Sequence, residues 1–384
     1  MTTQKPFTLY DCKLEKLEHN ILSGYVEGIQ LFYKTGSAHN LVMSADPFIA
    51  AMLLPAMHAG RDIIIPDSLS ASPKFLGNVA KLQEIFALWY PALKPIKISC
   101  RAGDVDVENA NSDCSTFFSG GLDASFTLLK HHSILTHLIY VRGIDMQLGD
   151  DTLYQQCLSA NAEIADRFGK VLMPIESNVR FFIRALSASA INWSKAQGCG
   201  LASIAYALGQ QKVFISSSNS YDNLHPYGTH PLTDPLFSTE SVTILHDGSE
   251  VRRHEKLLAV SGNDFLLQRI RVCWQDKGLN CGKCDKCLHF RLALTLCGFK
   301  SRNFLPLTNY AELVGAHVGT VGEFLEWEDN LQLAKKVNNP RAIKAINKRL
   351  NRFRLKQIAK LANEVFFNGW FFKPAAKTGS AEQS

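Results

Sequence analysis

The feature that most constrains the fold is an alternation of short apolar segments and amphipathic stretches over residues 113–218. Strands are predicted at residues 114–118, 136–143, 170–175 and 212–218. The amphipathic stretches between them predict helices, and this order requires a parallel sheet with helices on both faces. Ligands of such sheets bind at the carboxyl ends of the strands. We therefore expect an α/β fold whose functional residues follow the strands.

The length of 384 residues exceeds what one typical core organises, so we expect three regions. Residues 1–110 mix predicted strands and helices and indicate an N-terminal α+β domain. A polar stretch at residues 109–113 marks the first boundary. Residues 111–300 hold the parallel sheet and a cysteine-rich segment. Residues 301–384 predict a basic helical region that ends in a disordered tail.

A glycine-rich loop follows the first predicted strand of the sheet. Its candidate phosphate-binding residues are Ser119, Gly120, Gly121, Leu122, Asp123, Ala124 and Ser125. The glycines let backbone N–H groups approach a phosphate, and the following helix N-terminus favours negative charge. A carboxylate beside phosphates indicates an intervening Mg²⁺ ion, so we expect ATP or another nucleoside triphosphate. A tight strand-to-helix connection without a ligand is the alternative.

Four of the ten cysteines are clustered at metal-binding spacing. They are Cys273, Cys281, Cys284 and Cys287. Two overlapping CxxC turns and one upstream thiolate can complete a tetrahedral sulfur site. We expect a structural Zn²⁺ ion, with an iron–sulfur cluster as the competing interpretation.

The loop sequence SGGLDAS resembles the SGGxDS loop of the PP-loop ATP pyrophosphatases, the adenine nucleotide alpha-hydrolase-like superfamily. In that family the loop holds the pyrophosphate that leaves when a substrate oxygen attacks the α-phosphate of ATP. Ala124 stands where the family usually has serine, and the hydroxyl follows one place later at Ser125. The resemblance implies ATP and Mg²⁺ as ligands and a parallel sheet with helices on both faces.

The loop and the segment CGKCDKCLHFR together resemble the zinc-containing 7-cyano-7-deazaguanine synthase family over residues 115–298. That family converts a carboxylic acid on a deazaguanine into a nitrile with ATP and ammonia, in the chemistry that leads to queuosine. The resemblance implies a ligase that activates a carboxylate as an adenylate and then transfers nitrogen. Regions outside residues 115–298 suggest an antiviral defence variant that modifies a base or a macromolecule.

Two further segments match the synthase family more loosely. Residues 191–209 correspond to a family segment with a basic residue, which here is Lys195, and the resemblance implies Asp123, Ser119 and Lys195 as catalytic residues. Residues 217–234 follow the fourth strand, where the family binds its substrate. The candidate substrate residues are Asn219, Tyr221, Asp222, His225, His230 and Asp234. A surface turn without a ligand is the alternative interpretation of this loop.

Two other functions are compatible with these motifs. A tRNA-modifying PP-loop enzyme that performs thiolation would need a reactive cysteine or a labile cluster, which a closed four-cysteine site does not provide. A nucleotide-binding scaffold with weakened catalysis would explain the alanine at position 124.

Charge is distributed unevenly along the chain. Residues 331–384 carry twelve Lys or Arg residues against two Glu residues, although the whole chain has a net charge of only +6. This basic region predicts a nucleic-acid or protein partner. The resemblance to the synthase family implies a small carboxylate substrate and an ammonia donor as further partners. The sequence shows neither a signal peptide nor a membrane span, so we expect a cytoplasmic protein without membrane contact.

Overall fold

The computed structural model describes residues 5–16, 18–103, 113–273, 275, 279–315 and 318–367. These residues form two compact units, Met1–Val251 and Arg252–Ser384. The expected disordered tail lies outside the described residues, as does most of the predicted boundary at 109–113.

Thirteen strands are present among the described residues, and all of them belong to the first unit. They are β1 Phe7–Thr8, β2 Tyr10–Lys16, β3 His19–Val26, β4 Ile29–Gly36, β5 Ile63–Ile64, β6 Ser70–Ala71, β7 Ile98–Ser99, β8 Arg101–Ala102, β9 Cys114–Phe117, β10 His137–Arg142, β11 Val171–Ser177, β12 Lys212–Ser216 and β13 Thr243–Asp247. The four predicted strands are therefore confirmed as β9 to β12. The fifth parallel strand, β13, was not predicted.

Eleven α-helices accompany them in the described part of the chain. They are α1 Asp46–Ala59, α2 Pro73–Trp89, α3 Leu122–His131, α4 Asp151–Arg167, α5 Val179–Leu186, α6 Trp193–Leu208, α7 Arg253–Ser261, α8 Asp264–Leu267, α9 Asp285–Cys297, α10 Val321–Lys336 and α11 Pro340–Phe367. Two short 3₁₀ helices cover Asp234–Phe237 and Tyr310–Gly315. This content confirms the α/β class of the prediction.

The main sheet has eight strands in the order β13-β12-β9-β10-β11-β4-β3-β2. The first five of these are mutually parallel. β9 lies in the middle of the parallel strands. β10 and β11 were added on one side of it, and β12 and β13 follow on the other side, so the direction of strand addition reverses between β9 and β12. Ligands of open α/β sheets bind where the direction of strand addition reverses, outside the carboxyl ends of the strands. The glycine loop follows β9, and the predicted substrate loop follows β12, so both lie at this reversal.

The N-terminal strands extend the same sheet. β4 pairs antiparallel with β11, where Thr35 lies opposite Ile175, and β3 and β2 follow outward. The first compact unit therefore includes both the predicted N-terminal region, residues 1–110, and the parallel strands. The physical reason is that the outer edge of β11 has unpaired backbone groups, which β4 satisfies with long-range hydrogen bonds.

Helix α1 lies in the core of the first unit. Twelve of its fourteen residues are buried, and it packs against α6. Its first residue, Asp46, is buried as well and accepts a hydrogen bond of 3.0 Å from the backbone nitrogen of Ser72. Burial raises the pKa of the Asp46 carboxyl to about 7.

The second unit joins the cysteine segment to the C-terminal helices, so the predicted boundary near residue 300 does not separate compact units. His289 of α9 packs on Trp327 of α10 with ring centroids 3.9 Å apart. Arg349 of α11 lies over the same Trp327 ring, with its guanidinium carbon 4.2 Å from the ring centroid. These buried contacts explain why residues 285–297 fold with the C-terminal helices.

Candidate functional site

The glycine loop makes a sharp turn between β9 and α3. Gly120 has a φ of +77°, and a Cβ at this position would stand 2.9 Å from Oδ1 of Asn161. Its conformation therefore favours glycine, and a Cβ would press on the end of the Asn161 side chain. Gly121 immediately precedes α3, which no side chain among the described residues caps. Such an uncapped helix N-terminus is suited to bind an anion.

Ser125 lies in the first turn of α3. Its backbone nitrogen donates to the carbonyl of Gly121 at 3.0 Å, and its side chain is only 1% exposed. The Ser125 hydroxyl has no hydrogen-bond partner among the described residues. Ala124 is buried beside it. The predicted loop residues thus form one continuous turn, and a buried hydroxyl there lacks a partner.

Asp123 connects the glycine loop with the loop after β12. The Ser218 hydroxyl donates to Oδ2 of Asp123 at 3.4 Å, and both residues are half-buried. This contact brings together the two loops that flank the reversal of strand order. The side chain of Ser119 is also half-buried, and Leu122 is buried at the start of α3.

Five of the six predicted substrate residues fall into two groups. Tyr221, Asp222 and His225 lie toward the surface, and Tyr221 is 63% exposed. Asp222 accepts a hydrogen bond of 2.6 Å from the Ser220 hydroxyl. The His225 ring lies 5.7 Å from the Tyr227 ring. Side chains of this first group are accessible to a ligand.

Asp234 and His230 belong to the second group, which is buried. Asp234 is 0% exposed, and its Oδ1 accepts a hydrogen bond of 3.1 Å from the backbone nitrogen of His230. The His230 ring packs on Trp89 at 4.8 Å, and burial lowers the pKa of this imidazole to about 4. Both side chains are enclosed in the structure, and their contact with a substrate stays a prediction.

A buried hydrogen-bond chain extends from Asp234. His246 Nδ1 lies 2.7 Å from Oδ2 of Asp234, and His246 Nε2 lies 2.9 Å from the Ser249 hydroxyl. The Ser249 hydroxyl lies 3.0 Å from the Ser217 hydroxyl and 2.9 Å from the carbonyl of Asn219, to which it can donate. We name Asp234, His246, Ser249 and Ser217 the buried chain.

The buried chain has the order of contacts found in a catalytic triad, but its serine is only 2% exposed. A nucleophile must reach its substrate, so this serine is not in a position to attack one. The chain instead fixes the backbone of Ser217 and Asn219, on either side of the residue that contacts Asp123. Asn219, predicted as a substrate residue, thus takes part through its carbonyl.

Sequence reasoning missed His246 and Ser249. The signal was present in residues 242–250, where the apolar run of β13 is followed directly by His, Asp, Gly and Ser. Polar residues after a short apolar run mark the carboxyl edge of a parallel strand, as they do after β9 and β12. Asp247, at the end of β13, accepts hydrogen bonds from Thr127 at 2.7 Å and Lys130 at 2.7 Å and so holds α3.

Lys195 lies in the first turn of α6. Its ammonium is 5.1 Å from the centroid of the Tyr90 ring. The same helix contacts the predicted substrate loop, because Gly198 donates a backbone hydrogen bond of 2.7 Å to the carbonyl of Gly228. A Cβ on Gly198 would stand 2.4 Å from that carbonyl oxygen, so only glycine permits this approach. The helix that carries Lys195 and the loop after β12 are therefore brought together.

The four cysteines of the second unit converge on one point. Their sulfur atoms all lie within 4.8 Å of one another, with 3.8 Å between Cys273 and Cys284 and 3.9 Å between Cys281 and Cys287. A tetrahedral zinc site with Zn–S bonds of about 2.3 Å has sulfur atoms about 3.8 Å apart. The thiolates of a multi-iron cluster bind separate irons and lie farther apart. The spacing therefore fits a single metal ion such as zinc.

Backbone groups around the cysteines support a thiolate site. The backbone nitrogens of Cys281 and Cys284 donate to the sulfur atoms of Cys273 and Cys281 at 3.4 and 3.3 Å. A hydrogen bond from the Cys287 thiol is the main cause that lowers the pKa of Cys284 to about 5. The buried Arg291 guanidinium donates to the carbonyl of Gly282 at 2.8 Å and so fixes the turn between Cys281 and Cys284.

Comparisons with known proteins do not identify a family for this chain. No protein-family model, curated protein or solved structure matches the chain significantly. Among the described residues, no helix has both the length and the apolar character needed to cross a membrane. The functional interpretation therefore depends on the glycine loop, the loops beside it and the four-cysteine site.

Proposed function

We propose that this chain is an ATP-dependent ligase that activates a carboxylate as an acyl-adenylate and then transfers nitrogen to it. The observation that carries the proposal is the glycine loop, which joins a positive-φ glycine to an uncapped helix N-terminus at the reversal of strand order. Backbone N–H groups at such a turn bind phosphates. Asp123 beside them provides a carboxylate for Mg²⁺.

The first step forms the adenylate. A carboxylate oxygen of the substrate attacks the α-phosphorus of ATP, and the bond from that phosphorus to the oxygen bridging to the β-phosphate breaks. Pyrophosphate leaves and is held by the glycine loop and the N-terminus of α3. Catalysis here consists of positioning and of stabilising charge on the α-phosphate, to which the Lys195 ammonium contributes.

Nitrogen transfer follows. The lone pair of ammonia attacks the acyl carbon, the bond to AMP breaks and a proton is lost, which leaves an amide. Conversion to a nitrile, as in the deazaguanine synthases, requires a second adenylation on the amide oxygen and the loss of AMP and two protons. The accessible side chains of Tyr221, Asp222 and His225 are the candidates that contact the carboxylate substrate.

The zinc ion has a structural function in this proposal. Cys273, Cys281, Cys284 and Cys287 would fill all four positions of a tetrahedral ion and leave none for water or substrate. A bound zinc ion would supply a fixed crosslink between residues 273 and 287. A thiolation mechanism is disfavoured because the sulfur spacing fits a mononuclear closed site.

The nucleotide products test the proposed function. Zinc-loaded protein is incubated with Mg-ATP, ammonia and 7-carboxy-7-deazaguanine, and products are separated by ion-exchange chromatography. We expect AMP and pyrophosphate that depend on the carboxylate, and roughly a hundredfold slower formation by Asp123→Asn. ADP as the product, or AMP formation unaffected by Asp123→Asn, would refute adenylation at this loop.

A nucleotide-binding scaffold is the second candidate, and the alanine at position 124 favours it. Such a protein would bind ATP without producing AMP. Ala124→Ser distinguishes the ligase from the scaffold. In an active ligase that is limited by the missing hydroxyl, this change should increase AMP formation, whereas in a scaffold it should not. ATP binding without AMP formation in both proteins would support the scaffold.

The basic face of α11 supports a macromolecular target. Lys344, Lys348, Arg352 and Lys356 are exposed at four-residue intervals, and none of them forms an ion pair within the described part of the chain. This stripe of about 18 Å matches the negative charge of a nucleic-acid backbone. The binding constant K of a nucleic acid falls as salt is added, and the slope of log K against log [salt] measures how many phosphates are neutralised. Changing all four residues to Gln should reduce the magnitude of this slope by about 0.7–0.9 for each phosphate that the variant no longer neutralises. Unchanged salt dependence would exclude this face as the binding surface.

A further inference from the structure

Asn161 is a buried polar residue near the glycine loop that sequence reasoning did not select. It lies in α4 and is 2% exposed. Its side-chain nitrogen Nδ2 has no hydrogen-bond partner among the residues that the structure describes. The carboxamide lies against Gly120, since Oδ1 is 2.9 Å from the position that a Cβ of this glycine would occupy.

An unpartnered buried amide requires an explanation, because almost all buried polar groups in proteins have a hydrogen-bond partner. The Ser125 hydroxyl, a few residues after Gly120 in the same loop and helix, is a second buried group of this region without a partner in the described structure. The Asn161 carboxamide, whose Oδ1 faces Gly120, and the Ser125 hydroxyl are therefore two buried polar groups of this region with an unpaired atom that a ligand in the loop could engage.

We propose that Asn161 is a further nucleotide-binding residue, whose side-chain amide donates a hydrogen bond to a phosphate oxygen of the departing pyrophosphate. This inference depends on the proposed function, because it places its ligand in the glycine loop. In the structure Oδ1 is the carboxamide atom that faces Gly120, and a half-turn about χ2 exchanges the two atoms, so that Nδ2 faces the loop and can donate to a bound phosphate. The absent Cβ of Gly120 leaves the space through which the amide reaches the phosphate.

The proposal predicts which part of the nucleotide Asn161 recognises. Binding of ATP and of inorganic pyrophosphate should depend on Asn161, whereas binding of AMP should not, because AMP lacks the departing phosphates. A structural role of Asn161 would alter binding of all three ligands together. The comparison of ligands therefore separates a direct contact from a general disturbance of the loop.

Isothermal titration calorimetry on the full-length chain tests this prediction. Asn161→Leu removes the amide at similar volume, and Asn161→Asp replaces the donor with a negative charge. Ile164→Val, a conservative change at a buried position of the same helix, is the matched control. We expect Asn161→Leu to weaken ATP and pyrophosphate binding about tenfold and Asn161→Asp to weaken it further. The control should bind both ligands as the wild type does.

Thermal unfolding without ligand gives a second readout. Because Asn161→Leu removes an unpaired buried group, its melting temperature should equal or exceed that of the wild type, while the stabilisation by added pyrophosphate should decrease. If Asn161→Leu does not fold, Asn161→Asp carries the binding test.

The outcomes distinguish this inference from the proposed function. Wild-type protein that binds pyrophosphate, with Asn161 variants that bind it equally well, overturns the role of Asn161 and leaves the phosphate site intact. Wild-type protein that binds neither ATP nor pyrophosphate overturns the proposed function and this inference with it. Equal weakening of AMP and ATP binding also overturns a contact to the departing phosphates.

Discussion

Replacing Gly120 with alanine tests how closely the chain must approach a phosphate at this loop. An L-residue at the φ of +77° costs about 1–2 kcal/mol relative to glycine. The new Cβ would also stand 2.9 Å from Oδ1 of Asn161, and overpacking of this kind costs about 1–3 kcal/mol. We therefore expect the free energy of unfolding to fall by about 2–5 kcal/mol, the sum of these two costs.

Gly169→Ala is the matched control for the backbone cost. Gly169 has a φ of +62°, and nothing lies within 4 Å of the position of its Cβ. This variant should lose only about 1–2 kcal/mol. For a unit of this size the melting temperature falls by about 2–4 °C for each kcal/mol, so circular dichroism resolves the two variants. Calorimetry should show that Gly120→Ala loses ATP binding while Gly169→Ala retains it. Equal melting temperatures, or unimpaired ATP binding by Gly120→Ala, would refute this reasoning.

Three further predictions concern other parts of the molecule. Cys284→Ser should reduce bound zinc, measured by mass spectrometry, from about one ion per chain to nearly none; a brown, iron-containing wild type would contradict the zinc assignment. His246→Ala should lower the unfolding free energy in urea by about 3–5 kcal/mol, because Asp234 remains buried without its partner, and a loss below about 1 kcal/mol would contradict this. Burial raises the pKa of Asp46 from 3.8 to about 7, so its contribution to stability is present below pH 3.8 and is lost as the pH rises to about 7. That loss is about 4 kcal/mol, and Asp46→Asn should become more stable relative to the wild type over this range, whereas a constant difference in urea unfolding would exclude the raised pKa.

The strands, the loop and the cysteine cluster could be predicted because their signals are local. The order of apolar and amphipathic segments requires β9 to β12 and the helices between them, since each pattern buries one kind of face. The turn at Gly120 follows from the residue type that its φ requires. The convergence of Cys281, Cys284 and Cys287 follows from spacing alone, because three residues in two overlapping turns cannot lie far apart.

The division into units could not be predicted, because it depends on contacts between distant residues. Nothing local to β4 indicates that it pairs with β11, which is far away along the chain. β13 was missed because only Ile244 and Leu245 of its five residues are apolar, which is too weak a pattern to identify a strand without its neighbour β12.

The sequence by itself determined an α/β chain with a glycine loop after a strand and four cysteines at metal-binding spacing. Only the tertiary structure decided which side chains of the loop after β12 remain accessible. Tyr221 and Asp234 are both polar and follow the same strand, but packing exposes the first and encloses the second in the buried chain. Burial depends on what the rest of the chain places around a residue, and a local pattern does not contain that information.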